Sequence, residues 1–225
     1  LVTLGIIGVV SAMTVPSLVQ NYQRQSYVTQ LHKVYNELQQ AFVQVVTENN
    51  AIDLREAGLG TQTNIKPFLQ NHFKVVQIGE LDLSETPWGN VNYKNINGAD
   101  YAYKGDWACG ACATVASGAQ ICLDNVNCYG YSYGGYSSNY GYIFVDVNGK
   151  KGPNIIGRDA FLMTYWNDCV IDLPKVSPAC RTQGVCDGDS IQAIRAADTS
   201  CASATTYTHQ GCFGKILNDN WQMTY

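Results

Sequence analysis

Cys109 and Cys112 form a Cys-x-x-Cys pair, whose residue types and spacing could support chemistry. Such a pair exchanges disulfides when it opens a helix after a strand, but the stretch 113–115 that follows here is typical of a strand. A zinc site would recruit Cys122 and Cys128, and normally combines two such pairs, whereas the chain has one. The sequence therefore favours neither redox chemistry nor zinc binding.

The string Cys109-Gly-Ala-Cys112 is also close to the nucleophile segment of papain-like proteases, which need a His and an Asn downstream. His209 and Asn218 or Asn220 supply those residue types. However, Ala113 stands where an aromatic residue is expected, and His209 is closer than the ~130 residues usual in that class. No catalytic residue is predicted, and the chain is not predicted to be an enzyme.

The nine cysteines all lie in the second half of the chain and are more simply explained as a disulfide framework. The surrounding sequence is rich in Tyr, Gly, Ser and Asn and poor in Lys and Glu, which indicates an exported protein. An odd number leaves at least one thiol free, reduced or intermolecular, and many pairings are compatible with the sequence. The simplest local pairs are Cys112 with Cys122, across a predicted hairpin, and Cys201 with Cys212.

Oxygen ligands of the kind that calcium prefers occur at Asp146, Asn148 and Asp159. The segment lacks the closing Glu and the ligand spacing of an EF-hand. The alternative is a turn at a strand end, in which Asn148-Gly149 adopts positive φ and the carboxylates accept hydrogen bonds from nearby amides. The turn is the favoured interpretation, and calcium is the one cofactor that the sequence leaves open.

The segment that precedes the cysteine-rich part begins with a strongly apolar stretch. Residues 1–19 contain no charged side chain and approach the ~20 apolar residues that cross a bilayer. Gly8 and Pro16 weaken the predicted helix, because Gly is flexible and Pro lacks an N–H donor. A helix this apolar needs lipid or copies of itself, so residues 1–24 are predicted to be a transmembrane and filament-core half-helix.

Residues 25–49 form the second half of the predicted helix. Lys33 and Glu37, with several Gln and Asn residues, occupy one side of it. Apolar residues recur every three or four positions on the other side, at Val28, Leu31, Tyr35, Leu38, Phe42 and Val45. This spacing defines an amphipathic helix whose apolar face is predicted to pack on a globular head formed by residues 50–225.

The head is predicted to contain an antiparallel sheet with irregular, disulfide-bonded loops. The stretches 113–115 and 120–123 flank Ala116-Ser117-Gly118 and indicate a hairpin, and 142–147 is typical of a buried strand. Residues 129–142, rich in Tyr, Gly, Ser and Asn, are predicted to be a surface or intersubunit packing loop, and the alternative is an adhesive or stacked tyrosine surface. The predicted fold class is therefore α+β, with a long N-terminal helix packed on a small sheet.

Charge excludes one class of partner from this prediction. The net charge is −4, from 14 Lys and Arg against 18 Asp and Glu, and charged residues make up 14% of the chain. Nucleic-acid binding depends on clustered positive charge that neutralises phosphates. Nucleic acid is therefore not a predicted partner.

The opening residues Leu1-Val-Thr-Leu-Gly-Ile-Ile-Gly-Val-Val-Ser-Ala-Met-Thr-Val-Pro16 resemble the N-terminal helix of type IV pilins and type II secretion pseudopilins. Gly8 and Pro16 fall where that family carries its helix-weakening Gly and Pro. The family's leading methylated Phe and its Glu are absent here, and we expect several residues to precede Leu1. The segments 143–159 and 212–221 resemble parts of the heads of one pilin-like subgroup.

The resemblance implies a pilin fold and polymerisation into an extracellular type IV pilus-like filament on the cell surface. The implied partners are further copies of the chain, inner-membrane lipid before assembly, a prepilin peptidase and the pilus assembly machinery. In the filament, part of the segment from Gly8 to Pro16 is expected to be unwound. Three alternatives remain: a minor pilin or type II secretion pseudopilin, a membrane-anchored surface binding domain, for example for adhesion, that does not polymerise, and a cysteine enzyme that uses Cys112.

Overall fold

A computed structural model of the chain describes residues 2–79, 91–101, 110–197, 201 and 211–225. For residues 2–13, Ser17, Tyr133 and Gly211 it describes the backbone alone. Cys109 and His209, which the sequence singled out, lie outside the described residues.

The N-terminal helix α1 (Val2–Glu48) is the longest described element and includes both predicted halves. Pro16 lies inside it and, having no N–H, cannot donate a hydrogen bond to the preceding turn. In the single chain the helix nevertheless continues from Gly8 through Pro16. The unwinding expected in that segment therefore stays a prediction about the assembled filament.

The end of α1 is set by two asparagines. Asn50 adopts a positive φ of 49°, a conformation that Asn tolerates better than most residues. The side chain of Asn49 donates to the carbonyl oxygen of Val45 at 2.8 Å and so satisfies one carbonyl of the last turn.

Shorter helices follow within the described residues: α2 (Ile65–His72), α3 (Pro178–Gln183), α4 (Ile191–Ala196) and α5 (Gly211–Asn218). Ser177 and Ser190 cap α3 and α4, because each hydroxyl accepts a hydrogen bond from an amide in the first turn. Single turns of other helix types span Arg55–Leu59, Gln62–Asn64 and Gly149–Lys151.

The described strands are β1 (Val75–Gly79), β2 (Gly110–Val115), β3 (Gln120–Asp124), β4 (Tyr129–Tyr133), β5 (Tyr136–Asp146), β6 (Ala160–Trp166), β7 (Ile171–Asp172), β8 (Val185–Cys186) and β9 (Asp189–Ser190). The main sheet has the order β1-β2-β3-β5-β6-β7, with β4 paired to the outer part of β5. Every pairing in it is antiparallel. A long N-terminal helix and an antiparallel sheet with disulfides are thus both present, as the α+β prediction requires.

The hairpin predicted around Ala116-Ser117-Gly118 is confirmed. It joins β2 to β3, and Gly118 occupies a positive φ of 90° that favours glycine. The buried strand predicted at 142–147 corresponds to the inner part of β5.

The loop predicted for residues 129–142 is wrong, because the segment forms the hairpin β4–β5. Its turn consists of Gly134 and Gly135, with φ values of 59° and 83°. Consecutive positive φ angles are what a tight hairpin turn of matching twist requires, and glycine provides them without steric cost.

The principal core lies between α1, α2 and one face of the sheet. The helix contributes Leu31, Leu38 and Phe42, and the sheet contributes alternate residues of its central strands, such as Ile143 and Met163. Successive strand residues point to opposite faces, so this face carries mainly aliphatic and aromatic side chains.

The opposite face of the sheet has a smaller core and buried polar groups. Cys112, Cys122, Phe144 and Leu162 pack together there. Asp146 is buried on the same face, since it alternates with Val145 along β5. The two faces therefore differ in both chemistry and covering.

Candidate assembly surface

The described side chains between Thr14 and Gln23 are exposed, including large apolar ones. The exposed fractions are 53% for Val15, 65% for Leu18, 49% for Val19 and 73% for Tyr22. Their spacing of three, four and seven positions places them on one side of a helix. The N-terminal part of α1 thus presents an apolar stripe that no described part of the head covers.

The covering of α1 changes within one helical turn. Arg24, Ser26 and Tyr27 are half-buried, and Val28 is the first described residue of the helix that is fully buried. From there on, the face predicted from the sequence packs into the head. The start of this packed part lies close to the boundary between residues 24 and 25 predicted from hydrophobicity.

Aromatic contacts hold the packed part of α1 in place. The ring of Phe42 stacks on Tyr165 at 4.7 Å and on Phe68 at 5.6 Å between centroids. Nearer the exposed part, His32 stacks on Trp221 at 4.0 Å. Such contacts add to the burial of apolar area, so the helix is firmly anchored from Val28 onward.

The exposed stripe is chemically suited to association. Burying a large apolar side chain contributes about 1.5–3 kcal/mol, and the stripe leaves this stabilisation unused in the isolated chain. The apolar half-helix predicted at residues 1–24 includes all four residues of the stripe, although the sequence analysis did not single them out as one face. The spacing of three and four positions that continues from Val15 through Leu18 and Val19 to Tyr22 was the available signal.

Within the part of the chain that the structure describes, no helix is both long and apolar enough to span a bilayer. Most of the stretch 1–19 predicted to do so falls on residues whose side chains are outside the description.

Cys112, the described cysteine of the string singled out in the sequence, belongs to the disulfide framework. Cys112 is bonded to Cys122 across β2 and β3, with their Cα atoms 4.0 Å apart. The sulfur of Cys112 is therefore not a free thiol. No group of His, Cys, Asp and Glu able to hold a metal ion occurs among the described residues.

The other described disulfide pairs are also local in sequence. Cys201 is bonded to Cys212, which together with Cys112–Cys122 makes both pairs that sequence proximity suggested. Cys128 is disulfide-bonded too. A third described pair, Cys180–Cys186, joins the short helix α3 to β8 and was not selected beforehand, although its separation of 6 residues makes it equally local.

Cys169 is the free cysteine among the described residues. It is half-buried, and its sulfur lies 3.8 Å from the carbonyl oxygen of Phe42 in α1. Burial, with a smaller contribution from Asp168, raises the pKa of this thiol to about 11. Since the thiolate is the reactive form, the geometry favours an inert thiol over an intermolecular crosslink.

The calcium candidates Asp146, Asn148 and Asp159 are brought close together at the end of β5. Both carboxylates are fully buried at 0% exposure. Asp159 accepts hydrogen bonds from the amides of Asn154 and Ile155 at 2.8 and 2.7 Å. Asp146 accepts one from the amide of Asn148 at 3.2 Å.

This geometry has the features of the turn at a strand end that the sequence analysis favoured over a calcium site. Gly149 has a positive φ of 60°, and the side-chain amide of Asn148 donates to the carbonyl oxygen of Gly152 at 2.6 Å. The four carboxylate oxygens of Asp146 and Asp159 already accept hydrogen bonds from backbone amides and from the phenol of Tyr93, which a cation would have to displace, whereas Oδ1 of Asn148 is buried without a hydrogen-bond partner. The arrangement therefore favours the turn that the sequence analysis preferred.

The ionisation of Asp146 is perturbed by its surroundings. Burial raises its pKa to about 7, the nearby charge of Asp159 acts in the same direction, and the hydrogen bond from Tyr93 opposes it. The phenol of Tyr93 donates to Oδ2 of Asp146 at 2.7 Å, across 53 residues of sequence. The sequence offered no signal for this contact, because nothing in either residue's neighbourhood specifies the other.

The tyrosines of the β4–β5 hairpin are packed on one side. Tyr129 and Tyr140 stack at 5.6 Å, and Tyr140 lies 5.1 Å from the ring of Trp166. The phenol of Tyr131 donates to a carboxylate oxygen of Asp187 at 2.8 Å and so ties the hairpin to the loop between β8 and β9. Much of the tyrosine-rich segment is thus structural, and Tyr136 near its tip is exposed.

Comparisons of the chain with protein-family models, curated proteins and solved structures found no match.

Proposed function

We propose that this chain is a structural subunit that polymerises into an extracellular type IV pilus-like filament. The observation that carries the proposal is the exposed apolar stripe of α1, formed by Val15, Leu18, Val19 and Tyr22. It lies on the same helix whose opening residues, Leu1 to Pro16, resemble those of type IV pilins. An apolar stripe on a projecting helix is stabilised by lipid or by identical neighbours, which is how a pilin subunit alternates between membrane and filament.

The division of α1 supports this mode of assembly. Its second half is fixed to the head by buried residues such as Leu38 and Phe42, so the projecting half has a defined direction. A head-to-tail contact between identical subunits that does not close into a ring generates a helical filament. The head would then face outward with its disulfide-bonded loops, in agreement with an extracellular filament and a pilin fold.

The partners follow from the same proposal. Before assembly, inner-membrane lipid would cover the apolar half of α1, and in the filament further copies would replace it. A prepilin peptidase and the pilus assembly machinery would act on the N-terminal segment. The unwinding proposed between Gly8 and Pro16 would be tolerated there, because neighbouring helices exclude water from the freed carbonyls.

The test is a charge placed on the stripe. Leu18→Asp would put an unpaired carboxylate into a dry interface, at a cost of several kcal/mol per subunit. We expect the head to fold as in the unmodified chain while filaments are lost from sheared cell-surface material under electron microscopy. The matched control Ser137→Asp, at an exposed position of β5, should leave filaments intact.

The outcome also separates the alternatives. Normal filaments from Leu18→Asp would contradict the proposed interface. Absence of filaments built from the unmodified chain would favour a membrane-anchored binding domain. Incorporation at low abundance into filaments of another subunit would favour a minor pilin or a type II secretion pseudopilin.

A further inference from the structure

Two arginines lie where the projecting half of α1 meets the head. Arg24 stands four residues before Val28, so it is on the side of the helix that packs on the head. Arg158 belongs to the loop between β5 and β6, and the neighbouring carbonyl oxygen of Gly157 accepts a hydrogen bond from the phenol of Tyr225 at 2.8 Å.

The tyrosines of this region show that both positive charges are close by. Burial raises the pKa of Tyr225, and the charge of Arg24 opposes this effect. Burial and Asp159 raise the pKa of Tyr27, and the charge of Arg158 opposes them. Arg24, Tyr27, Arg158 and Tyr225 therefore form one cluster, called the helix–head corner here.

The arginines of the helix–head corner are unpaired. Neither forms an ion pair or a side-chain hydrogen bond with the described part of the chain, whereas Arg181 and Arg195 each pair with an aspartate. Both corner arginines are half-buried, and their guanidinium nitrogens are accessible to solvent. Two positive charges are thus available to an anion from outside the subunit.

The carboxylates of the region already have partners. Asp159 is buried and accepts hydrogen bonds from the amides of Asn154 and Ile155. Asp219 accepts a hydrogen bond from the hydroxyl of Thr224. The corner arginines therefore keep their charge uncompensated.

Aromatic residues with one polar end lie around the helix–head corner. Tyr22 precedes it and is 73% exposed, and Tyr27 and Tyr225 are half-buried within it. Trp221 stacks on His32 two turns further along α1. Tyr and Trp are enriched where a bilayer meets water, because one end of the ring is apolar and the other is polar.

The charge of the chain gives this end of the head a direction toward an anionic surface. Within residues 1–32, Arg24 is the single charged residue, and it follows directly on the apolar stripe. The chain as a whole has a net charge of −4, so an anionic bilayer repels most of the head. The helix–head corner is complementary to such a bilayer in charge and adjoins the apolar half of α1.

We propose that the helix–head corner binds the headgroup phosphate of an anionic phospholipid through Arg24 and Arg158. The proposal rests on the membrane stage of the proposed function, in which lipid covers the apolar half of α1. A guanidinium group binds phosphate oxygens through two parallel N–H donors and stays charged at every physiological pH. The acyl chains then lie beside the apolar half of α1, and the bound headgroup fixes the depth to which that half enters the bilayer.

The test measures headgroup preference in the full chain by native mass spectrometry. The chain is held in nonionic-detergent micelles with equal amounts of phosphatidylglycerol and phosphatidylcholine, which have matched acyl chains and differ in headgroup charge. We expect bound phosphatidylglycerol to exceed bound phosphatidylcholine by about fivefold per arginine, the usual contribution of one basic residue beside anionic lipid. Each of Arg24→Gln and Arg158→Gln should remove one such step, and the double variant should show no preference.

Arg55→Gln is the matched control. Arg55 is also exposed and unpaired among the described residues, and its loss changes the net charge equally. It lies beyond the other end of α1, about 36 Å of helix away from Arg24. The preference should survive in this variant. A preference that persists in the double variant, or that falls equally in Arg55→Gln, would overturn the proposal.

Chemical labelling of the unmodified chain gives a second measurement that does not depend on the folding of a variant. Phenylglyoxal modifies accessible arginines, and peptide mass analysis reports each site. Arg24 and Arg158 should be labelled more slowly in micelles with phosphatidylglycerol than in micelles with phosphatidylcholine, and Arg55 should be labelled at the same rate in both. Equal rates at Arg24 and Arg158 in the two lipids would contradict the proposal.

Two further outcomes identify what has failed. Inorganic phosphate in excess over lipid should not displace phosphatidylglycerol, because it lacks acyl chains; displacement would assign the site to a soluble phosphate and overturn the lipid proposal. Binding of neither lipid would contradict the membrane stage of the proposed function as well. Binding of both lipids without preference would overturn the headgroup site alone and leave the filament proposal to the test of Leu18→Asp.

Discussion

The two parts of α1 share one continuous helix and differ in what covers them. Between Thr14 and Gln23 the described side chains are exposed and include an apolar stripe, whereas from Val28 onward the apolar face is buried in the head. Helical geometry alone does not distinguish these parts. The difference teaches that the second part is stabilised within the subunit, while the first part depends on something outside it.

The largest expected effect separates the two parts physically. A chain that begins at about residue 25 should fold, remain soluble and stay monomeric in sedimentation experiments, because it keeps the buried face from Val28 to Val45. Filament formation should be lost completely, since the stripe is absent. Polymerisation of this truncated head would show that assembly does not need the exposed stripe, and it would contradict the mechanism of the proposed function.

Matched leucines test the same contrast in the whole chain. Leu38→Ala should lower the free energy of unfolding by about 2–5 kcal/mol, because Leu38 is fully buried and its loss leaves a cavity. Leu18→Ala, at an exposed site, should change it by less than about 0.5 kcal/mol. Thermal unfolding in detergent, followed by near-ultraviolet circular dichroism, measures both. Equal losses would mean that the first part is also packed within the subunit.

A pH dependence should belong to the head alone. The pKa of Asp146 is raised from 3.8 to about 7, mainly by burial, so folding favours its neutral form. The stability from this group is therefore complete below pH 3.8 and is lost as the pH rises to about 7, by at most ~1.4 kcal/mol per pH unit. Denaturant titrations from pH 4 to pH 8 should show this fall.

The control for this effect is Asp146→Asn. It keeps the shape of the side chain and removes the titration, so its stability should be flatter over the same pH range. Identical pH profiles for the two proteins would show that Asp146 is not the source of the pH dependence of stability.

The smallest expected effect concerns the free thiol next to the buried part of α1. In Cys169→Ser, the hydroxyl can still donate toward the carbonyl oxygen of Phe42, so stability should change by less than about 1 kcal/mol. Filaments should be unaffected, because the thiol faces the interior. A covalent dimer of the unmodified chain on non-reducing gels, absent in Cys169→Ser, would show instead that this region opens in solution.

The features that could be predicted from the sequence are those in which a local pattern determines the structure. The spacing from Val28 to Val45 specified the buried face of α1, and Ala116-Ser117-Gly118 specified the β2–β3 hairpin. The β4–β5 hairpin was missed because the prediction followed the loop-like Gly, Ser and Asn content of the segment. The alternation of Tyr129, Tyr131 and Tyr133 and the pair Gly134-Gly135 both carried a hairpin signal.

The contacts that escaped prediction join residues distant in the chain. The hydrogen bond of Tyr93 to Asp146 spans 53 residues, and that of Tyr131 to Asp187 spans 56. A single sequence gives the residue types of such pairs but does not show which distant residues contact each other. The exposed stripe was predicted in part, because an uncharged segment is visible in sequence while its lack of a cover is a property of the folded head.

The local disulfides have a mechanical consequence. The described pairs have sequence separations of 10, 6 and 11 residues, so none of them bridges α1 to the central strands. A tensile load applied between the two ends of the head would therefore be carried by hydrogen bonds between strands and by side-chain packing. The disulfides would matter only after the head begins to unfold. The residues enclosed by each disulfide could not then extend, so they would not add their length of about 3.4 Å per residue to the stretched chain.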